Sequence, residues 1–150
     1  MSSAPESVLP NCFSDAPPVA AEVARGVTRL FCRRDLFAIC EVPLPNGRRA
    51  DVMAIGRRGD IVICEVKSGI EDYRCDLKWR EYGPYCDAFY FATAPEFPHD
   101  VLEGDCGLIV ADGFGGAMVR EATPNPLAPA RRKALTLAFA RLGAMRTLRD

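Results

Sequence analysis

Histidine is almost missing from this chain: His99, held between Pro98 and Asp100, is the single one in 150 residues. Histidine acid–base catalysis and the common zinc sites are therefore poor candidates, and the flanking proline places His99 on a surface loop. None of the seven cysteines forms a C-x-x-C pair, and an odd count suits no closed disulfide framework. Cys40 and Cys64 fall on an apolar strand face, so buried, reduced thiols and a cytoplasmic setting are expected. No apolar run approaches the length needed to span a membrane. The first twenty residues hold four prolines, four serines, two acids and no base, which matches neither a secretory nor a transit signal. Residues 1–19 read as a disordered tail, leaving 20–150 as a single domain. Gly113-Phe-Gly-Gly116 lacks a following Lys-Ser/Thr and reads as a turn rather than a phosphate-cradling loop. Strong net charge is missing too, at −1, although Arg131, Arg132, Lys133, Arg141, Arg146 and Arg149 face one acid, Asp150, near the C-terminus. That balance argues for a small or transient nucleic-acid footprint.

What is present is regular alternation. Phe37–Pro43, Arg49–Ile55 and Ile61–Lys67 read as three short strands joined by two tight bends. Leu44-Pro-Asn-Gly-Arg48 has proline set for a type I turn and glycine at the left-handed position, and Gly56-Arg-Arg-Gly-Asp60 repeats the glycine. Three-residue loops then pair 44 with 48 and 56 with 60. An amphipathic helix precedes the strands over 20–34, with Val23, Val27, Leu30 and Phe31 on one face. A second helix is expected over 71–82, with Trp79 and Tyr82 on its packing side. Strands follow at 87–93, 107–112 and 117–121. A last helix spans 130–145, with Leu135, Ala138, Phe139 and Leu142 facing inward. This order predicts an α/β fold with a mixed central sheet flanked by helices.

The expected register sets Glu41 opposite Asp51 and Asp51 opposite Glu65, with Arg49 and Lys67 one step along the same face. The other face carries Ala38, Cys40, Val42, Ala50, Val52, Ala54, Val62, Cys64 and Val66, and must be covered by helices. Two unit charges ~5 Å apart repel by roughly 3 kcal/mol at an effective dielectric near 20. Something positive must therefore balance the row. Lys67 and Arg49 offset part of the repulsion, and a hard divalent cation with oxygen ligands would offset the rest. A closed salt-bridge network of three acids and two bases is the alternative.

Asp51, thirteen intervening residues, then Glu65-Val66-Lys67 on a central strand resembles the core signature of the PD-(D/E)XK nuclease superfamily, with Ala50 in place of a frequent proline. Gly47-Arg-Arg-Ala-Asp-Val52, Glu65-Val-Lys-Ser68, Lys78-Trp79, Tyr85-Cys-Asp-Ala-Phe-Tyr-Phe-Ala92, Gly107-Leu-Ile-Val-Ala-Asp112 and Leu127-Ala-Pro-Ala-Arg-Arg-Lys-Ala134 resemble the bacterial MmcB-like DNA-repair family of that superfamily. The resemblance implies a restriction-endonuclease-like αβββαβ core and a cytoplasmic protein acting on DNA, alone, as a homodimer or with other repair proteins. It implies Asp51, Glu65 and Lys67 as catalytic residues. Asp51, Glu65 and the Val66 carbonyl would hold Mg²⁺ or Mn²⁺, Glu41 joining them on the expected register alone. Ser68, Arg49, Arg74 and Lys78 are candidate substrate contacts, with a solvated helix face an equal reading of Arg74 and Lys78. Glu22 is similar to an auxiliary acid of some superfamily members, although a helix-surface role is the favoured reading. Two functional readings remain open: a metal-dependent deoxyribonuclease, and a DNA-binding or adaptor protein that keeps the fold without cutting.

Overall fold

Two glycine-ended bends set the frame. Leu44 donates its N–H to Arg48 O at 2.8 Å and Gly47 to Leu44 O at 3.1 Å; Gly56 donates to Asp60 O at 2.9 Å and Gly59 to Gly56 O at 3.0 Å. Gly47 and Gly59 take φ of 84° and 88°, the left-handed backbone that the sequence assigned to them. In this computed structural model, which describes residues 18–67, 80–96 and 106–149, the strands joined by these bends are β1 (Leu36–Pro43), β2 (Arg49–Gly56) and β3 (Ile61–Lys67). Their registers are the expected ones, Ala38 opposite Ala54 and Val52 opposite Cys64 among the pairs.

Three more strands complete a six-stranded mixed sheet in chain order: β4 (Ala88–Thr93), β5 (Gly107–Ala111) and β6 (Gly116–Arg120). β4 runs parallel to β3 and β5 parallel to β4, whereas β6 returns antiparallel. The parallel step from β3 to β4 needs a long crossover. Residues 80–82 are helical there and run into a 3₁₀ turn at Gly83–Tyr85. The rest of the helix expected over 71–82, and the N-terminal tail, lie outside the described residues.

Among the described residues, one long helix packs on each sheet face. On one side α1 (Pro18–Arg33) sets Val23, Val27, Leu30 and Phe31 against Cys40, Val52, Ala54, Val62, Cys64 and Ile109. Gly26 lets that helix touch the β5–β6 bend, since a Cβ there would lie 2.2 Å from Asp112 O and 2.5 Å from Gly115 O. The bend is a turn, as expected: Asp112 Oδ1 accepts the N–H groups of Phe114 at 2.8 Å and Gly115 at 3.0 Å, so its own carboxylate holds the donors a phosphate would need. On the other side α2 (Pro129–Thr147) packs Leu135, Phe139 and Leu142 near Met53, Ile61, Ile63, Phe89, Phe91 and Leu108. No described helix is long and apolar enough to cross a membrane.

Three expectations need correction, and the exposure of Phe37 is a further finding. Val42 and Ala50 pack with Leu44 and Tyr82 rather than with the α1 face, because the end of the first hairpin departs from simple alternation at Glu41. Ala138 is exposed; Leu135, Phe139 and Leu142 alone suffice to fill the space under α2. Phe37 is exposed on the edge strand, where the Arg57 guanidinium lies 5.8 Å from its ring centroid. Cys40 and Cys106 are each disulfide-bonded, though not to one another, since they lie four strands apart on opposite sheet faces, whereas Cys64 and Cys86 are buried free thiols and Cys32 an exposed one. Apolar periodicity tells that a cysteine is buried but not whether its sulfur is a thiol or half of a disulfide.

Asp87 ties the base of this scaffold together. Its carboxylate accepts the N–H groups of Ile61 at 2.7 Å and Leu127 at 2.8 Å, and Arg132 grips it with both terminal nitrogens, at 2.5 and 2.6 Å. Arg132 also reaches Gly59 O at 3.1 Å. Burial alone would raise the Asp87 pKa, but the Arg132 contact and the two backbone donors outweigh it and hold the carboxyl below its ordinary 3.8. The folded pKa lies below the unfolded one, so this contribution to stability is complete above pH ~4 and fades as pH falls through the folded value. Arg132→Gln is expected to lower stability by roughly 2–3 kcal/mol, less than the 3–5 kcal/mol for breaking a fully buried pair, because the arginine is partly exposed. Urea unfolding at pH 7 reads the loss, and the gap between the wild-type and Arg132→Gln midpoints should narrow as pH falls through the folded pKa of Asp87.

Candidate active site

At the end of the sheet formed by the C-termini of the parallel strands β3, β4 and β5, the ladder between β2 and β3 opens. Its paired residues stop at Val52 and Cys64, one step short of Asp51 and Glu65. Beyond that point side chains replace backbone partners. The Asp51 N–H donates to Glu65 Oε1 at 2.9 Å, and the Val66 N–H donates to Asp51 Oδ2 at 2.9 Å. Each carboxyl group thus reaches back across the gap to satisfy the other strand, and the two are hydrogen-bonded to one another. The sequence placed these two acids together, and they are together. They bridge an opened seam, however, instead of standing side by side on a continuous ladder.

The electrostatics follow from that geometry. Burial, then the neighbouring Asp51 charge, pushes the Glu65 pKa from its ordinary 4.5 up to about 9. Burial likewise raises Asp51, against the pull of the Val66 N–H and Lys67. Without a cation, the two carboxyls therefore hold a proton between them at neutral pH. Lys67, two residues on from Glu65, lies with its ammonium 5.8 Å from the Phe91 ring centroid and favours the charged form of both acids.

Glu41 does not complete the expected row. Its backbone is left-handed, φ 53°, and it drops out of the ladder while its neighbours Cys40 and Val42 pair with Val52 and Ala50. A residue with a Cβ seldom adopts that conformation unless its surroundings impose it. Its carboxylate sits at the rim, 4.0 Å from the Arg49 guanidinium, close enough for its charge to raise Asp51 slightly. Among the described residues no three His, Cys, Asp or Glu side chains converge as a metal-holding group. The directly available oxygens are those of Asp51 and Glu65, with the Val66 carbonyl between Glu65 and Lys67. Glu22 is exposed on α1 and lies against Gly113, away from this pair. Ser68, Arg74 and Lys78 lie outside the described residues.

Two residues at the site escaped the sequence reading. Tyr82, expected only as a packing residue, stacks on Phe89 at 5.5 Å and directs its hydroxyl to Arg49 O at 3.5 Å. Burial and the nearby Glu65 and Asp51 charges push its phenol above the ordinary value. Arg146, counted only among the C-terminal bases, donates to the carbonyls of Cys40 and Glu41. Nothing in a local window announces either one; both depend on how helices cross the sheet.

A family model described as "DNA repair protein MmcB-like" matches residues 10–149. Among solved structures, the SPO1766 protein of unknown function from Silicibacter pomeroyi is similar, with a TM-score of 0.81 at 39% identity, over 91% of this chain and 94% of that one. No curated protein matches the chain.

The raised Glu65 pKa carries a stability signature. The folded value exceeds the unfolded one, so from pH ~4.5 towards about 9 the folded, metal-free chain holds more protons than the unfolded chain. Its stability should fall as pH rises through that window. Glu65→Gln keeps an oxygen for the Asp51 N–H and removes the group that resists ionising. It is expected to stabilise the metal-free protein at pH 8 by about 1–4 kcal/mol and to flatten the pH dependence, as read by thermal unfolding in chelator.

Proposed function

The chain belongs to the MmcB-like DNA-repair family, and from that premise we propose that it is a metal-dependent nuclease of the PD-(D/E)XK type, hydrolysing DNA phosphodiester bonds. The observation that carries the reading is the Asp51–Glu65 pair: a half-buried and a buried carboxyl meet in an opened seam, with Lys67 on the strand of Glu65. Apolar residues would fill that place at lower electrostatic cost, so the arrangement points to use rather than to stability.

The donor set fits Mg²⁺ or Mn²⁺. Mg²⁺ takes oxygen ligands, keeps several waters and needs only one or two protein carboxylates beside substrate phosphates. Asp51, Glu65 and the Val66 carbonyl would hold the ion, which when bound acidifies a water and neutralises charge on the phosphoryl oxygens. Asp51 and Glu65 must give up their shared proton to do so. Lys67 brings a fixed positive charge to the reacting phosphate and stabilises the crowded phosphorus. Arg49, exposed at the rim beside Glu41, is placed to take a flanking phosphate. The buried Tyr82, stacked on Phe89, lies close enough to the carboxyl pair for their charges to act on its phenol.

One observation favours a second reading, a DNA-binding or adaptor protein that keeps the fold without cutting. The two acids satisfy each other's strands, so the seam is closed by hydrogen bonds without any ion.

Mn²⁺ titration of wild type beside Asp51→Asn and Glu65→Gln separates the two. The nuclease reading expects saturable binding in wild type and a loss of tenfold or more in each variant. Nicking of branched, damaged and single-stranded DNA should then depend on the ion and fall by two to three orders of magnitude in Lys67→Ala. Metal binding with DNA affinity but no cleavage of any substrate selects the adaptor, and wild-type cleavage by Lys67→Ala removes that residue from the mechanism.

A further inference from the structure

The last turn of α2 is joined to the carboxylate site by one side chain. Arg146 is half-buried beneath the edge strand; its Nη2 donates to Glu41 O at 2.6 Å and its Nη1 to Cys40 O. Helix and strand come close here: a Cβ on Gly143 would meet Ile39 Cδ1 at 3.4 Å. The two carbonyls that Arg146 gathers flank the Cα of Glu41, the one residue of β1 with a left-handed backbone. Two neighbouring carbonyls aimed at a single guanidinium are a geometry that a regular extended strand does not offer, because successive carbonyls alternate in direction. The left-handed turn at Glu41 is what brings them together, and the arginine fork is what it matches.

We propose that Arg146 is a positioning residue for the carboxylate site: it locks the left-handed backbone of Glu41 and thereby aims the Glu41 carboxylate at the rim of the Asp51–Glu65 pair, where it accepts hydrogen bonds from water held on a bound divalent cation. This rests on the metal reading above. Glu41 reaches the ion through water, not directly, in keeping with the lack of a three-ligand group among the described residues. The Arg49 guanidinium lies 4.0 Å from the same carboxylate. Without Arg146, nothing else among the described contacts grips the Glu41 carbonyl, and the residue is released towards extended backbone with its side chain re-aimed. The last helical turn thus contributes to a site more than a hundred residues earlier in the chain.

The test is a double-mutant cycle read by Mn²⁺ affinity, with thermal unfolding followed in parallel. Arg146→Gln and Glu41→Gln should each weaken Mn²⁺ binding, about tenfold. The double variant should bind no more weakly than Glu41→Gln alone, because Arg146 acts through Glu41. Arg146→Lys, which keeps one charged donor and preserves the helix end, should recover part of the affinity. It also supplies the comparison if Arg146→Gln folds poorly. Multiplying effects in the double variant, or wild-type affinity in Arg146→Gln, would overturn the proposal while leaving the Asp51–Glu65 site standing. Failure of wild type to bind Mn²⁺ at all would instead sink the metal reading on which it rests.

Discussion

Two carboxyl groups cannot occupy one dry gap between strands as two anions. That constraint shapes the end of the sheet. The β2–β3 ladder gives up its backbone pairing after Val52 and Cys64, each acid takes an N–H of the opposite strand, and a proton stays between them. Lys67 softens the repulsion without removing it. A seam of this kind is unfavourable for stability and useful for binding, since a small hard cation can take the place of the proton. The remainder of the fold compensates: α1 and α2 each seal one sheet face with large aliphatic and aromatic side chains.

Asp87 provides the contrast. It is an acid buried in the same sheet, yet its pKa is pushed in the other direction. Its neighbours are a guanidinium and two N–H donors, so the anion is the favoured state; those of Glu65 include another carboxyl, so the neutral acid is favoured. The segments Tyr85–Ala92 and Leu127–Ala134, which resemble the family, meet through this contact, as Asp87 binds the Leu127 N–H and Arg132. Arg131 adds a bond to Pro84 O and lies over the Tyr85 ring. Their pattern is explained by holding α2 to the base of the sheet, whereas Asp51, Glu65 and Lys67 are the residues for which packing alone offers no use.

How the helices cross the sheet decides the rest of the site. α2 starts at the Asp87 end, anchored by Arg132, and finishes at the Glu41 end, where Arg146 meets β1. One helix therefore spans from the structural ion pair to the carboxylate rim, with Arg132 and Arg146 holding its two ends.

Elements, strand order within the first hairpins and register were legible from the residues alone because they rest on local rules. Proline and glycine at Pro45, Gly47 and Gly59 specify two bends, and alternating apolar residues specify which strand positions share a face. The meeting of Asp51 and Glu65 followed from that register. Glu41 did not, because its left-handed backbone is imposed by a partner more than a hundred residues away. Nor did the departure of Val42 and Ala50 from the α1 face, the exposure of Ala138 or the disulfide at Cys40. By itself, then, the amino-acid order determined the elements, the register and the pair of acids, since each depends on neighbours a few bonds away. Only tertiary structure decided that the seam opens, that Tyr82 comes to lie near it and that Arg146 sets Glu41. Those outcomes depend on desolvation and on contacts between segments that no local pattern brings together.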